Sequence, residues 1–395
     1  MNPAAGELRH GWPVVLVCFC TALFAWGFGF YGVSVYVAEL HATRGWSATL
    51  ISSATTLYYL FSALLLTRVP GWINRLGPRA VLLGGATTLL GGACVIAWAA
   101  QPWQLFAGCL VMGVGWACTS TAALVGTLAL WFDQRRGMAI SLALNGASAG
   151  GFTVAPALVW LAHSHGLAAA VPALGGTLLV LLVPLVLLGG GRARQPVARP
   201  GPVPAGFGTR RQALKNGHFW SVSAPFSLAI IAQVGLIVHQ VSFLLPHLGA
   251  EGASVAVGLT TLCAVLGRIG LGLVIDRLDQ RRAAAAGMAI QVVGEVLMMA
   301  LPGVPAALYV GCACFGLSVG NTITLPSLII QREFPAGSFG MLVGLSTAVG
   351  QLGYSFAPAI IGVVHDLSGG YGAALGLCAA LEAVGALLLL GWRGR

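Results

Sequence analysis

Twelve long, continuous apolar stretches constrain this chain more than any other feature of its sequence. In hydrocarbon every backbone N–H and C=O must find a partner within the protein, so only helices and closed barrels can cross it. Barrel strands alternate polar and apolar residues with a period of two. These stretches do not alternate, so helices are expected. Only 8% of the 395 residues are charged, against about 25% in a soluble domain. The chain therefore reads as an all-α membrane protein. The spans are expected near 12–38, 46–68, 80–100, 103–131, 137–162, 167–189, 218–247, 253–275, 283–301, 305–330, 338–364 and 371–391. The first is too long for a signal-peptide core and is not followed by a cleavage site and a polar domain, so it reads as a retained span.

A formal charge of +10 would suggest nucleic acid in a soluble protein. Here it sorts by side. With the N-terminus inside, eighteen of the twenty basic residues fall on the cytoplasmic side, leaving Arg44 on an outer loop and Arg268 within a span. That asymmetry sets both termini in the cytoplasm of a multi-pass protein, most simply in a bacterial inner membrane. Nine cysteines lie within apolar runs and read as small buried hydrophobes, not as metal or redox sites. No phosphate loop, zinc spacing or nucleophile elbow is present, so neither an enzyme nor a cofactor is expected. Without an ATP site, transport must draw on a gradient or run downhill.

One long break interrupts the spans. Residues 190–216 hold Pro196, Pro200, Pro202 and Pro204 with several glycines and six basic residues, which reads as a flexible linker beside anionic lipid. The expected division is 1–190, a linker 191–216, and 217–395. The two halves repeat at an offset of 202: Asn74, Arg75, Leu76 and Arg79 fall on Asp276, Arg277, Leu278 and Arg281, and GFTVAPAL (151–158) falls on GYSFAPAI (353–360). Two six-helix bundles related by an axis along the membrane normal are expected, with a substrate site at midplane depth.

Arg268 breaks that symmetry, since its counterpart is Leu66. It lies eight residues before Asp276, or ~12 Å along a helix, which approaches the middle of a ~30 Å hydrocarbon layer. A guanidinium there costs at least ~2.5 kcal/mol on insertion scales. Such a group faces a polar cavity or a partner, which makes Arg268 the leading candidate for substrate contact. Further candidates are Tyr31, Trp116, Asn145, His239, Asn321, Gln351 and Tyr354, with interhelical hydrogen bonding as the plainer role for each. Three groups are candidate proton carriers: His239, which titrates near neutrality when unperturbed, and the deep carboxylic acids Glu295 and Glu382.

The residues now resemble the major facilitator superfamily. PGWINRLGPR (70–79) is similar to its G-x-x-x-D-R-x-G-x-R signature, departing at Pro70 and Asn74. The second copy, GLVIDRLDQR (272–281), departs only at Asp279. Asn74, Arg75, Arg79, Asp276, Arg277 and Arg281 are therefore candidate gating residues, in which a carboxylate at a helix end pairs with Arg. WFDQRRGMA (131–139), HGWPVVLVCF (10–19), GRIGLG (267–272), FGMLVG (339–344) and APAIIGVVHDLSGGY (357–371) resemble the monocarboxylate and oxalate–formate type transporters. The resemblance implies that the Arg of span eight, here Arg268, binds a substrate carboxylate. A monomer is expected, with protons or a counter-anion as candidate coupling partners. Where the eukaryotic carriers have an Asp four residues before that Arg, this chain has Ala264. Its single Lys, Lys215, lies in the linker. One intramembrane cation suits one carboxylate, so a small organic anion of the monocarboxylate class is the expected partner. The alternatives are an exporter of drugs or toxic metabolites on the same scaffold and, more remotely, a non-transporting sensor.

Overall fold

The computed structural model describes residues 3–66, 68–132, 136–189, 210–335 and 338–391, without the side chains of residues 3–10, Pro70, Arg136 and Asp276. Helices dominate, and no strand occurs among the described residues. Among the described residues, eleven helical stretches are long and apolar enough to cross a membrane. One of these, α11 (Gly217–Val274), has 58 residues. At ~1.5 Å per residue it would far exceed a bilayer if straight. Its backbone turns at Gly249, where φ is 67° and ψ 179°, a combination essentially confined to glycine. The helix thus contains the two spans expected at 218–247 and 253–275.

The chain divides into two compact units, residues 1–199 and 200–395. The expected linker lies mostly outside the described residues. Of its described part, Arg210–Leu214 forms the short helix α10.

In the first unit, α1 (Pro3–Trp26) passes through a π-helical turn, Gly27–Tyr31, into α2 (Val33–Arg44). Arg44 ends α2, and Gly45 caps it; it does not stand on a free loop. α3 (Ala48–Leu66) leads through the short α4 (Val69–Leu76) to α5 (Pro78–Trp98). The expected fourth span is broken into α6 (Pro102–Thr119) and α7 (Thr121–Leu128). α8 (Arg136–His165) and α9 (Leu167–Gly189) complete the unit. α1 packs on α8, and α5 on α6. The first contact is close because Gly146 and Gly150 let α8 approach the Phe19 and Leu23 carbonyls of α1.

The second unit contains α10, α11, α12 (Gln280–Ala300), α13 (Pro305–Glu333), α14 (Phe339–Ser355), α15 (Ala357–Ser368) and α16 (Tyr371–Gly391). α13 packs along α11 and α12, and α16 packs along α12 and α11. Each unit turns large apolar side chains outward: Leu188 is 85% exposed in the first and Leu273 79% in the second. Exposed leucines in such numbers fit a lipid-facing surface and not a watery one.

The two signature loops solve one turn in two ways. In the first copy Gly77 ends α4 at φ 82° and ψ 155°, a region open to glycine alone. The repeat places Asp279 at the same point. Its φ is −71°, and its carboxylate accepts from the Arg281 and Arg282 backbone N–H groups, both at 3.0 Å. The departure from the signature Gly is thus an N-cap that opens α12.

Candidate functional site

The first unit assembles an aromatic cluster around the break in its first span. A π-helical turn widens the backbone spiral and leaves carbonyls displaced from regular bonding. Tyr58 donates to the Gly29 carbonyl at 2.7 Å, so α3 supports the turn. Gly29 has no side chain because the Trp116 ring and the Tyr58 hydroxyl occupy that space. Trp116 then gathers Trp26 at 4.9 Å and stacks on Phe30 at 6.2 Å, with ring planes 13° apart. Tyr31 stands edge-on to Phe30 at 5.1 Å. Two of the sequence candidates, Tyr31 and Trp116, therefore share one cluster. Asn145 is exposed on α8, so the structure does not bury it in this cluster.

One turn beyond Trp116 the fourth span breaks. Ser120 leaves the helix at φ −61° and ψ 167°, and its hydroxyl caps α7 by accepting from Ala123 N–H at 3.4 Å. Broken helices at membrane depth present free backbone groups to whatever is bound there. No pattern in the sequence marks this break beyond a Ser that can cap.

In the second unit Arg268 lies on the later half of α11, partly buried. Its guanidinium is laid against α13: a β-carbon on Gly320 would sit 2.8 Å from Nε and 3.0 Å from Nη2. The helices meet closely there. A β-carbon on Gly267 would overlap the Leu317 carbonyl, and one on Gly316 the Thr260 carbonyl. Asn321 stitches the same crossing, donating from Nδ2 to the Gly267 carbonyl at 3.3 Å and the Leu317 carbonyl at 3.2 Å. Arg268 and Asn321 are therefore brought together, each beside a glycine of the other's helix. Gln240, from the first half of α11, donates to Thr260 Oγ1 at 2.7 Å, which ties both arms of α11 together.

His239 faces the other way. The Pro358 carbonyl can only accept, so Nε2 donates to it at 3.1 Å, and Nδ1 shares a hydrogen bond with the Tyr371 hydroxyl, also at 3.1 Å. Both ring nitrogens are thus spent on α15 and α16. Gln351 and Tyr354 lie on α14, both partly exposed. α14 packs on α11 through Gly350 and Gly353, which meet Ile230 and Ile231. Glu295 and Glu382 are fully buried on α12 and α16.

Of the gating candidates, Asn74, Arg75 and Arg277 are exposed and Arg79 is partly buried. The side chain of Asp276 lies outside the described residues. Arg281 is buried and holds one end of the unit together. It binds Glu333 of α13 through two bonds of 2.7 Å, and Ser221 Oγ of α11 at 2.8 Å. It also donates to the Leu389 carbonyl of α16 at 3.5 Å. His218 closes on Glu333 at 3.2 Å. Glu333 is the residue that sequence reasoning missed. A lone acid ending a long apolar span on the basic side is the signal that marks it.

The comparisons agree with this architecture. The family model described as Major Facilitator Superfamily matches residues 17–358 and 241–395. Monocarboxylate transporter 11 of Homo sapiens is 30% identical over 340 residues, 80% of this chain and 69% of that protein. Monocarboxylate transporter 13 of Bos taurus is 25% identical, covering 96% of this chain and 87% of that protein. A crystal structure of the nucleoside transporter NupG superposes with a TM-score of 0.77 over 97% of this chain and 100% of that one. Its identity is 12%, so it speaks for the fold alone. The chain belongs to the Major Facilitator Superfamily, as a transporter of its monocarboxylate group.

Proposed function

We propose that the protein is a secondary transporter that moves a small organic anion, a monocarboxylate, by alternating access, with Arg268 as the group that receives the carboxylate. The observation that carries this reading is the seat of Arg268. A permanent charge is held at span depth in α11, against the bare backbone of Gly320 and beside the Asn321 amide. A planar guanidinium offers a carboxylate two parallel hydrogen bonds, which an ammonium does not. The resemblance of GRIGLG (267–272) to the monocarboxylate transporters supports the same role. Both termini then lie in the cytoplasm of a bacterial cell membrane, as the basic residues suggest.

The test is uptake of labelled lactate-type acids into liposomes. Saturable uptake by the wild type is expected. Removing charge-assisted hydrogen bonds costs about 1.5–3 kcal/mol each, so Arg268→Ala should weaken apparent affinity by roughly tenfold or more. Arg268→Lys should fall between the two. Unchanged uptake in both variants would remove Arg268 from the mechanism.

A second reading has its own observation. The cluster of Trp26, Phe30, Tyr58 and Trp116 in the first unit suits an amphipathic aromatic cargo. Competition of lactate uptake by aromatic acids but not by aromatic amines would favour the anion reading.

A further inference from the structure

Glu295 on α12 and Glu382 on α16 are fully buried, and none of their four carboxyl oxygens has a hydrogen-bond partner among the described residues. The register of the two helices brings them together. Gly385 lies against Met288, and Gly376 against Met299, so α12 and α16 run antiparallel. Glu295 then stands level with the Cys378 turn, and Glu382 stands level with Gln291. α11 closes the third side: Gly385 packs on the Pro225 carbonyl, and Cys378 Sγ–H donates to the Ala232 carbonyl at 3.5 Å.

This seam offers acceptors and almost no donors. The Cys378 thiol is spent on Ala232. Gln291 donates its Nε2 to the Phe315 carbonyl at 3.3 Å, and its own buried Oε1 has no partner among the described residues. α13 contributes Cys314, which lies beside Gly294. Between Pro225 and Ala232, α11 carries no titratable group. His365 and Asp366 of α15 lie at the far end of α16, beside Tyr371. Arg281 is more than three turns away along α12 and engaged by Glu333. A charged carboxylate among acceptors alone, away from water, costs several kcal/mol. A metal ion is not favoured, since no group of three His, Cys, Asp or Glu suited to one occurs among the described residues. The ligand that fits is a proton, because it turns one acceptor oxygen into a donor facing the other acid.

We infer that Glu295 and Glu382 form a proton-binding site, a carboxyl pair in which an O–H on one acid donates to an oxygen of the other. Taking up the proton converts one carboxylate to a carboxylic acid, and returning it to water restores the charge. The pair joins α12 and α16 where both meet α11, the helix that carries Arg268. That the proton bears on flux rests on the transporter reading above; the site itself does not.

The test is infrared difference spectroscopy of the purified full-length protein, exchanged between H2O and D2O at neutral pH. A carbonyl band of a protonated carboxyl that shifts in D2O is expected in the wild type. It should change in Glu295→Gln and Glu382→Gln and vanish in the double variant. Gln keeps the shape of the neutral acid, so these variants are expected to fold. If they do not, Glu295→Asp and Glu382→Asp, which keep a carboxyl but displace it, should shift the band, and an unshifted band in both would overturn the site. Absence of any such band in the wild type, or an unchanged band in the double variant, would overturn the site. So would thermal stabilisation of the wild type by sodium chloride but not by an equal concentration of choline chloride. In liposomes, the single variants should lose the pH dependence of anion uptake. A pH profile equal to wild type would overturn the coupling role. Absence of saturable uptake from every variant and the wild type would count against the transport reading and leave the spectroscopic result standing.

Discussion

Arg281 and Glu333 are joined by two parallel hydrogen bonds, Nε to Oε1 and Nη2 to Oε2, each 2.7 Å long. The pair links the start of α12 to the end of α13, and the same guanidinium reaches α11 at Ser221 and α16 at Leu389. A single side chain thus clamps four helices of the second unit. Glu333 is partly exposed, so water softens the pair. Hydrogen bonds to charged groups are still worth about 1.5–3 kcal/mol. Glu333→Gln should lower the melting temperature in detergent by several degrees. Arg281→Lys should do the same, because an ammonium cannot make the fork. A melting temperature equal to wild type in both would show that the clamp contributes nothing.

The two glycines at the Arg268 crossing should respond differently. Gly267→Ala puts a methyl into the Leu317 carbonyl, where only a helix shift relieves it, so expression and thermal stability should fall. In Gly320→Ala the new methyl meets Arg268 Nε at 2.8 Å and the Ala264 carbonyl at 2.8 Å. The guanidinium must move, so this variant should lose uptake more than it loses stability. Paired measurements of melting temperature and apparent affinity separate the two. Equal uptake in Gly320→Ala and wild type would mean that the Arg268 seat is not used.

The signature loops allow a reciprocal exchange. Asp279→Ala removes the cap of α12 and should cost about 1 kcal/mol, whereas Asp279→Gly should cost only a few tenths. Gly77→Asp forces a side chain into a glycine-only conformation, at about 1–3 kcal/mol. Thermal denaturation of the three variants tests the account. Equal losses for Gly77→Asp and Asp279→Gly would contradict it.

The orientation is open to a direct check. A reporter fused after Arg395 should be active only where it requires the cytoplasm, such as a fluorescent protein that does not mature outside. A periplasmic phosphatase at the same position should be inactive. The reverse pattern would invert the assignment.

Much of the fold is legible in the residues because lipid leaves few choices. Apolar stretches of bilayer length have to become helices, and the turn at Gly249 falls between two spans expected on length alone. The repeated signature loops are legible too, since their charges and glycines sit at helix ends. The breaks inside spans are less so. Ser120 and the π-helical turn at Gly27–Tyr31 depend on packing by Gly85, Tyr58 and Trp116, which hydropathy does not encode. Glu333 escaped for a similar reason: its partner lies 52 residues earlier, and only the three-dimensional crossing of α12 and α13 joins them. Asn321 stood out as an amide in an apolar span, but its placement against Gly267 follows from a glycine contact. His239 carries the same surface signal, yet its ring is taken up by Pro358 and Tyr371.

The measurement that bears most directly on the account is binding of a panel of small acids to purified protein, each acid paired with its uncharged amide. Thermal shift in detergent reads it without any need for flux. Saturable stabilisation by one or more monocarboxylates is predicted, with none by the matching amides. It should be lost in Arg268→Ala and weakened in Arg268→Lys. Stabilisation of the Arg268→Ala variant by the same acids at the same concentrations would contradict it.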